Sequence, residues 1–471
     1  MSLTDEVVSP TREIAVDGSC KTCRSKYPGS RWDGPPGLRP TDLIRSADQG
    51  CPTCKILLEG IRRLDEEWEH ADINSEGMVH IPNFDVYEGK EHGQESIVVM
   101  LTIHRPEPRG FYEKVRRTWL EFFTLPDHSS SLSRFGPAKL IPDTTLSQQF
   151  VDQAKQWLQE CDSRHSECNI STDSPLPTRI IDVGLEHEYP YAVLQDGKGM
   201  AGKYACLSYC WGKSRPFVTT TSNRAQRSYG FAIDELPATL RDAVHFTRKL
   251  GLRYLWVDAV CILQDDRGDW ERECANMSRV YGQSYVTLCA SHAADINEGL
   301  SMKLNEAKDG PCLLQETHDE GGPSIWVRRE LSHHQFITLN DAAPGTWAED
   351  RYPLVERAWA LQEHLLSPRV IQFATHELVW ECWEHSSCCC GRLNHSKLAR
   401  SFLLRPTSNQ EGFDELTKTW RNVLHAYSSG ATTDPGDKLP ALSGLAHSLE
   451  DRMGSRYLAG LWDRNLVNEL L

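Results

Sequence analysis

The sequence lacks any long apolar run. Its most hydrophobic stretches, such as YVTLCA, fall far short of the ~18–20 residues that a membrane-crossing helix needs. It also lacks an excess of positive charge. Lys and Arg number 51 against 66 Asp and Glu, for a formal net charge of -15. Phosphate surfaces attract net positive charge, so neither nucleic acid nor an anionic membrane is an expected partner. The nearest thing to a basic-aromatic patch, KVRRTW beside WLEFF at 114–123, does not reverse that expectation. The opening MSLTDEVVSPTREIAVDG has no apolar core of the kind a secretory leader carries, and a cytoplasmic location is expected. Internal repeats are absent.

What is present fits a soluble globular chain. At 471 residues it is too long for one typical core, so two or three domains are expected. Hydrophobic residues make up 39% and charged residues 25%, which argues against disorder. The sixteen cysteines, without a leader, read as thiols or metal ligands in a reducing compartment rather than as disulfides. Cys20-x2-Cys23 and Cys51-x2-Cys54 have the paired spacing of a tetrahedral zinc site, although the loop between the pairs is longer than in the commonest zinc ribbons. The alternative is four reduced cysteines packed in a small core. Cys161-x3-His165-x2-Cys168 is a second metal corner with three ligands, or a helix end with an unrelated histidine. Cys388, Cys389 and Cys390 are adjacent, cannot chelate as a CxxC pair does, and receive no role.

Residues 1–150 read as an α+β region containing the CxxC pairs. TDLIRSADQGCPTCKILLEGIRRL forms two helical stretches broken at Gly50 and Pro52, and SIVVMLTIH alternates like a strand. Residues 151–200 read as a linker helix and the Cys/His segment. From 201 to 380 the order changes to strand (YACLSYCW), helix (LPATLRDAVHFTRKLG), strand (RYLWVDAVCIL), helix (DRGDWERECANMSRVYGQ) and strand (SYVTLCAS). That order predicts an α/β domain with a mainly parallel sheet flanked by helices. Residues 301–350 read as an insertion, RVIQFATHELVWECW as one or two strands, and 381–471 as mainly helical.

YACLSYCWG, LRYLWVDAVCILQDD and RAWALQE, in that order, resemble the three conserved blocks of the fungal heterokaryon incompatibility (HET) domain. DWERECANMSRVYGQS, DKLPALSGLA and YLAGLW fit the same family. The resemblance implies a role in non-self recognition and programmed cell death. HET domains are distantly similar to Toll/interleukin-1 receptor (TIR) domains, some of which cleave NAD+ with a glutamate that follows a tryptophan on a helix. Trp359 and Glu363 have that spacing, with Ala360 where those domains carry cysteine. The resemblance therefore implies NAD+ as substrate. Glu363 and Asp258 would be catalytic, and Ser208, Tyr209, Trp211, Gly212 and Trp359 would contact the ligand. The implied partners are other incompatibility or signalling proteins, and a further copy of this chain. The alternative class is a non-catalytic TIR-like adaptor.

Each residue also has a bland reading. In RAWALQEHLLS, helical spacing puts Trp359, Gln362, Glu363 and Leu366 on one stripe. Glu363 there is a carboxylate for an oxocarbenium-like centre, a partner of Arg357 or Arg369, or a charge at the stripe's edge. Asp258, inside an apolar run, either faces a cleft or caps backbone N–H groups. Trp211 stacks on a base or fills the core, and Gly212 permits a tight turn. Cys210 has no adjacent His or Asp to activate it. Glu273 is a weaker second carboxylate, and Asp269 reads as an N-cap or first-turn acid of its helix.

Overall fold

A computed structural model describes residues 40–64, 97–105, 114–126, 135, 137–142, 144–168, 174–185, 189–214, 217–301, 310–315, 324–329, 331, 352–391, 393–395, 413–428, 430–432 and 435–467. The chain divides into two compact units, 1–140 with 304–331, and 141–303 with 332–471.

The first unit contains α1 (Pro40–Asp48) and α2 (Pro52–Leu64), separated at Gly50 as the sequence predicts. Its sheet is formed by β1 (Ile97–Arg105) and β2 (Lys114–Thr124), together with two strands from the 301–350 segment. The insertion is thus partly sheet. Cys312–Gln315 and Ile325–Arg329 extend the N-terminal sheet in the order β1–β2–(325–329)–(312–315), antiparallel throughout. Leu57, Ile61, Phe122, Phe135, Ile325 and Val327 share one core with Cys51 and Cys54. Glu121 and Arg328 face each other across the strand pair as a fully buried bidentate ion pair, at 2.8 and 3.1 Å. Both charges are satisfied there without water.

The second unit opens with α3 (Gln148–Arg164), capped by Ser147, whose side chain accepts from the Phe150 N–H. Its strands are β3 (Arg179–Asp182), β4 (Tyr191–Asp196), β5 (Tyr204–Ser208), β6 (Phe231–Ala232), β7 (Tyr254–Trp256) and β8 (Val286–Cys289). The two strands of the first unit's second half take the labels β9 (Cys312–Gln315) and β10 (Ile325–Arg329), and β11 (Arg369–Phe373), β12 (Leu378–Cys382), β13 (Ser386–Cys388) and β14 (Asn394–His395) follow. The helices are α4 (Arg224–Tyr229), α5 (Ala238–Lys249), α6 (Asp258–Cys261), α7 (Arg267–Gly282), α8 (Ala358–Leu366), α9 (Phe413–Ser428) and α10 (Pro440–Met453).

The ten-stranded sheet runs β14–β13–β12–β11–β8–β5–β7–β3–β4–β6. Only its centre, β7–β5–β8–β11, is parallel, and the flanks are antiparallel. The expectation of a mainly parallel sheet is therefore corrected to a mixed α/β sheet with a parallel centre. The cause is local. RYLWVDAVCIL is a strand only as far as Trp256, because Asp258 begins a helical turn. RVIQFATHELVWECW folds back on itself as the antiparallel pair β11 and β12. In the centre the connections leave β5 toward β7 on one side and return to β8 on the other. Right-handed crossovers then put α5 on one face and α7 and α8 on the opposite one. α7 and α8 do pack together, and both meet α10.

Candidate functional site

The reversal of strand order between β5 and β8 creates the position where open α/β sheets place ligands, outside the strand C-termini. Ser208 is the last residue of β5, in register with Cys289 of β8. α8 packs against β5 and carries Glu363. Among the described residues, Ser208 Oγ, the Tyr209 hydroxyl and Glu363 Oε2 are all buried without a hydrogen-bond partner. Ser208 is 1% exposed and Glu363 4%. Native interiors hold few such unsatisfied polar groups, and these three lie on elements that converge on one strand end.

The bland reading of Glu363 as an exposed charge fails on geometry, and its interaction with Arg357 is one of nearby charges rather than a close ion pair. It is not exposed. It also has no ion-pair partner among the described residues. Arg369 is engaged by Asp162 at 2.7 Å and Cys161 Sγ at 3.2 Å. Arg357, at the N-cap of α8, donates to the Tyr209 carbonyl instead. The burial of Glu363 pushes its carboxyl up to about 7, the nearby Arg357 charge opposes this, and Asp258 adds to it. Ser208 and Tyr281 stand near enough to favour the charged form, but neither makes a well-formed hydrogen bond; Tyr281 donates to the Leu207 carbonyl at 3.2 Å.

Asp258 occupies the first position of α6, at the end of β7. Its side chain accepts from the Ala259 N–H at 2.7 Å and from the Trp211 indole N–H at 3.1 Å. Burial pushes this carboxyl up as well, against the pull of Arg357. Arg357 therefore feels the charges of two carboxylates, buried Glu363 and half-buried Asp258, which hold its own pKa up against its burial. Trp211 is brought to the site through Asp258. Gly212 has a φ of 70°, and a Cβ there would lie 2.2 Å from Asp295 Oδ2. Asp295 accepts from the backbone N–H groups of Lys213 and Ser214, at 3.1 Å each. The close approach that this glycine permits is made by a carboxylate of the chain itself. Trp359 points elsewhere, its indole donating to Asp437 at 3.1 Å.

Glu273 and Asp269 take a structural role. They share the buried Arg179, with Glu273 at 3.9 Å. Asp269 lies in the first turn of α7, and the N-cap is Asp266. Burial raises the Cys210 thiol to about 11, which keeps it protonated. Cys51 and Cys54 are buried at the start of α2, while Cys20 and Cys23 lie outside the described residues. Arg357, Tyr281 and Asp295 were not singled out as site residues by sequence. Arg357 entered the sequence reading only as a candidate ion-pair partner of Glu363, at the head of RAWALQE.

Residues 204–363 match the family model described as "Heterokaryon incompatibility protein (HET)". That span starts on the first residue of β5 and ends on Glu363. No curated protein and no solved structure matches the chain.

Proposed function

The chain carries a heterokaryon incompatibility (HET) domain at residues 204–363, and on that premise we propose that it is an effector of fungal non-self recognition and cell death that acts by hydrolysing NAD+. The observation that supports this reading is the buried Glu363 carboxylate, whose Oε2 has no hydrogen-bond partner among the described residues and whose pKa burial raises to about 7. Breaking the nicotinamide–ribose bond develops positive charge on the ribose, and a carboxylate held in low dielectric stabilises it strongly. The pyridinium of NAD+ is itself cationic. Its arrival would draw the Glu363 pKa down and ionise the group at the moment of use. Asp258 and Trp211 would position the ribose and the base, with Arg357 balancing the two carboxylates. The closed state of the cluster suits an enzyme held off until a trigger or self-association opens it.

Purified protein incubated with NAD+ should release nicotinamide, and Glu363→Gln should abolish release. Equal activity in the two proteins removes Glu363 from the mechanism. The near-complete burial of Glu363 favours a second reading, a TIR-like adaptor without catalysis. Absence of nicotinamide release from concentrated, assembled wild type would select it. Zinc at Cys20, Cys23, Cys51 and Cys54 is part of the proposal, and Cys51→Ser should then lose one zinc per chain.

A further inference from the structure

A second convergence of reactive side chains lies away from Glu363. Cys161 is in the last turn of α3, His165 is its C-cap, Cys168 closes the 3-10 turn that follows, and Cys382 ends β12. Their sulfur and nitrogen atoms all lie within 4.8 Å of one another, and Cys382 Sγ is 3.3 Å from His165 Nδ1. A tetrahedral zinc ion with Zn–S of about 2.3 Å and Zn–N of about 2.0–2.1 Å has ligand–ligand edges of roughly 3.4–3.8 Å. The four atoms already span such a tetrahedron to within a small contraction.

The surroundings suit anionic sulfur. Arg369 Nε–H donates to Cys161 Sγ at 3.2 Å. The backbone N–H of Trp383 points to Cys168. Those of Glu384 and His385 point to Cys382, the latter at 3.2 Å. Donors aimed at every sulfur are what thiolate ligands require of the groups around them. A site built only for thiols has no such need, because a thiol is a weak acceptor.

We propose that Cys161, His165, Cys168 and Cys382 form a structural zinc site. Four protein ligands close the coordination shell, leaving no position for water or substrate, so the ion holds structure rather than doing chemistry. His165 and Cys382 are 217 residues apart in sequence. The ion ties α3, which precedes the matched domain, to a strand that follows it. The stacked Trp157 and Trp380, 6.1 Å between centroids, line the same helix–strand contact.

The full-length protein, purified without chelators, is analysed for zinc. Cys382→Ser should hold one zinc fewer per chain than wild type, and His165→Cys should keep the wild-type number. X-ray absorption at the zinc edge of the wild type covers the case in which Cys382→Ser does not fold. It should show a histidine nitrogen in the shell, which the candidate four-cysteine site lacks. Zinc-free wild type, a purely sulfur shell, or a mapped disulfide among Cys161, Cys168 and Cys382 each overturns the proposal.

Discussion

Replacing Glu363 with glutamine should stabilise the protein, increasingly as the pH rises above about 4.5. In the unfolded chain the carboxyl titrates near 4.5, and in the fold burial raises it to about 7. The folded state thus binds the proton more tightly. Below pH 4.5 both states are protonated, and the group costs nothing. Between 4.5 and 7 a penalty grows as the unfolded chain ionises first, and above 7 it is complete. The shift corresponds to about 3 kcal/mol at pH 8, about 2 kcal/mol at pH 6, and under about 0.5 kcal/mol at pH 4.5. The amide of the substituted side chain carries no charge at any of these values. Urea unfolding of wild type and Glu363→Gln, followed by tryptophan fluorescence at the three pH values, reads the difference directly. Any constant packing effect of the amide cancels in the pH dependence. A stability difference that is flat with pH, or that favours wild type increasingly toward pH 8, would refute a buried, unpaired carboxyl.

Arg357→Ala removes the charge that holds Glu363 down, so the pH at which nicotinamide release becomes half-maximal should move to higher pH. For a rise of about one pKa unit from about 7, the ionised fraction and hence the activity at pH 7 should fall about fivefold. Asp269→Ala leaves Arg179 buried without its main partner and should cost about 3–5 kcal/mol in chemical denaturation, while the double change Arg179→Met, Asp269→Leu should recover most of it. Gly212→Ala combines a left-handed φ with a 2.2 Å approach to Asp295. It should cost clearly more than Gly199→Ala, which also has positive φ but meets no described atom within 4 Å, where about 1–2 kcal/mol is expected.

The order of elements from β5 to α8 was legible because each is local. LPATLRDAVHFTRKLG has its proline start and glycine stop, and SYVTLCAS is apolar on both faces. The convergence of Ser208, Asp258 and Glu363 could be inferred from strand C-termini alone. Other features could not. The end of β7 at Trp256 goes with Asp258 finding the Trp211 indole as a donor, 47 residues earlier and outside any local window on the sequence. Trp359 shares a helix with Glu363, yet its indole N–H is taken by Asp437, 78 residues later. Cys382 joins Cys161, His165 and Cys168 only because α3 meets β12, a pairing set by sheet topology and not by spacing.

The antiparallel bonds between β2 and β10 have a consequence for biosynthesis. Thr124 pairs with Ile325, so one edge of β2 has no partner strand until some two hundred further residues have been made. Throughout that interval the ribosome displays a strand edge ready to pair with any other chain. The nascent protein must finish most of the span at 204–363 before its own beginning can be completed. A fragment cut cleanly between the two units in sequence would strip β2 of its neighbour and leave β9 and β10 without a sheet. Separating the functions of the two units by truncation will therefore fail for reasons of chain threading, and point substitutions are the means to do it.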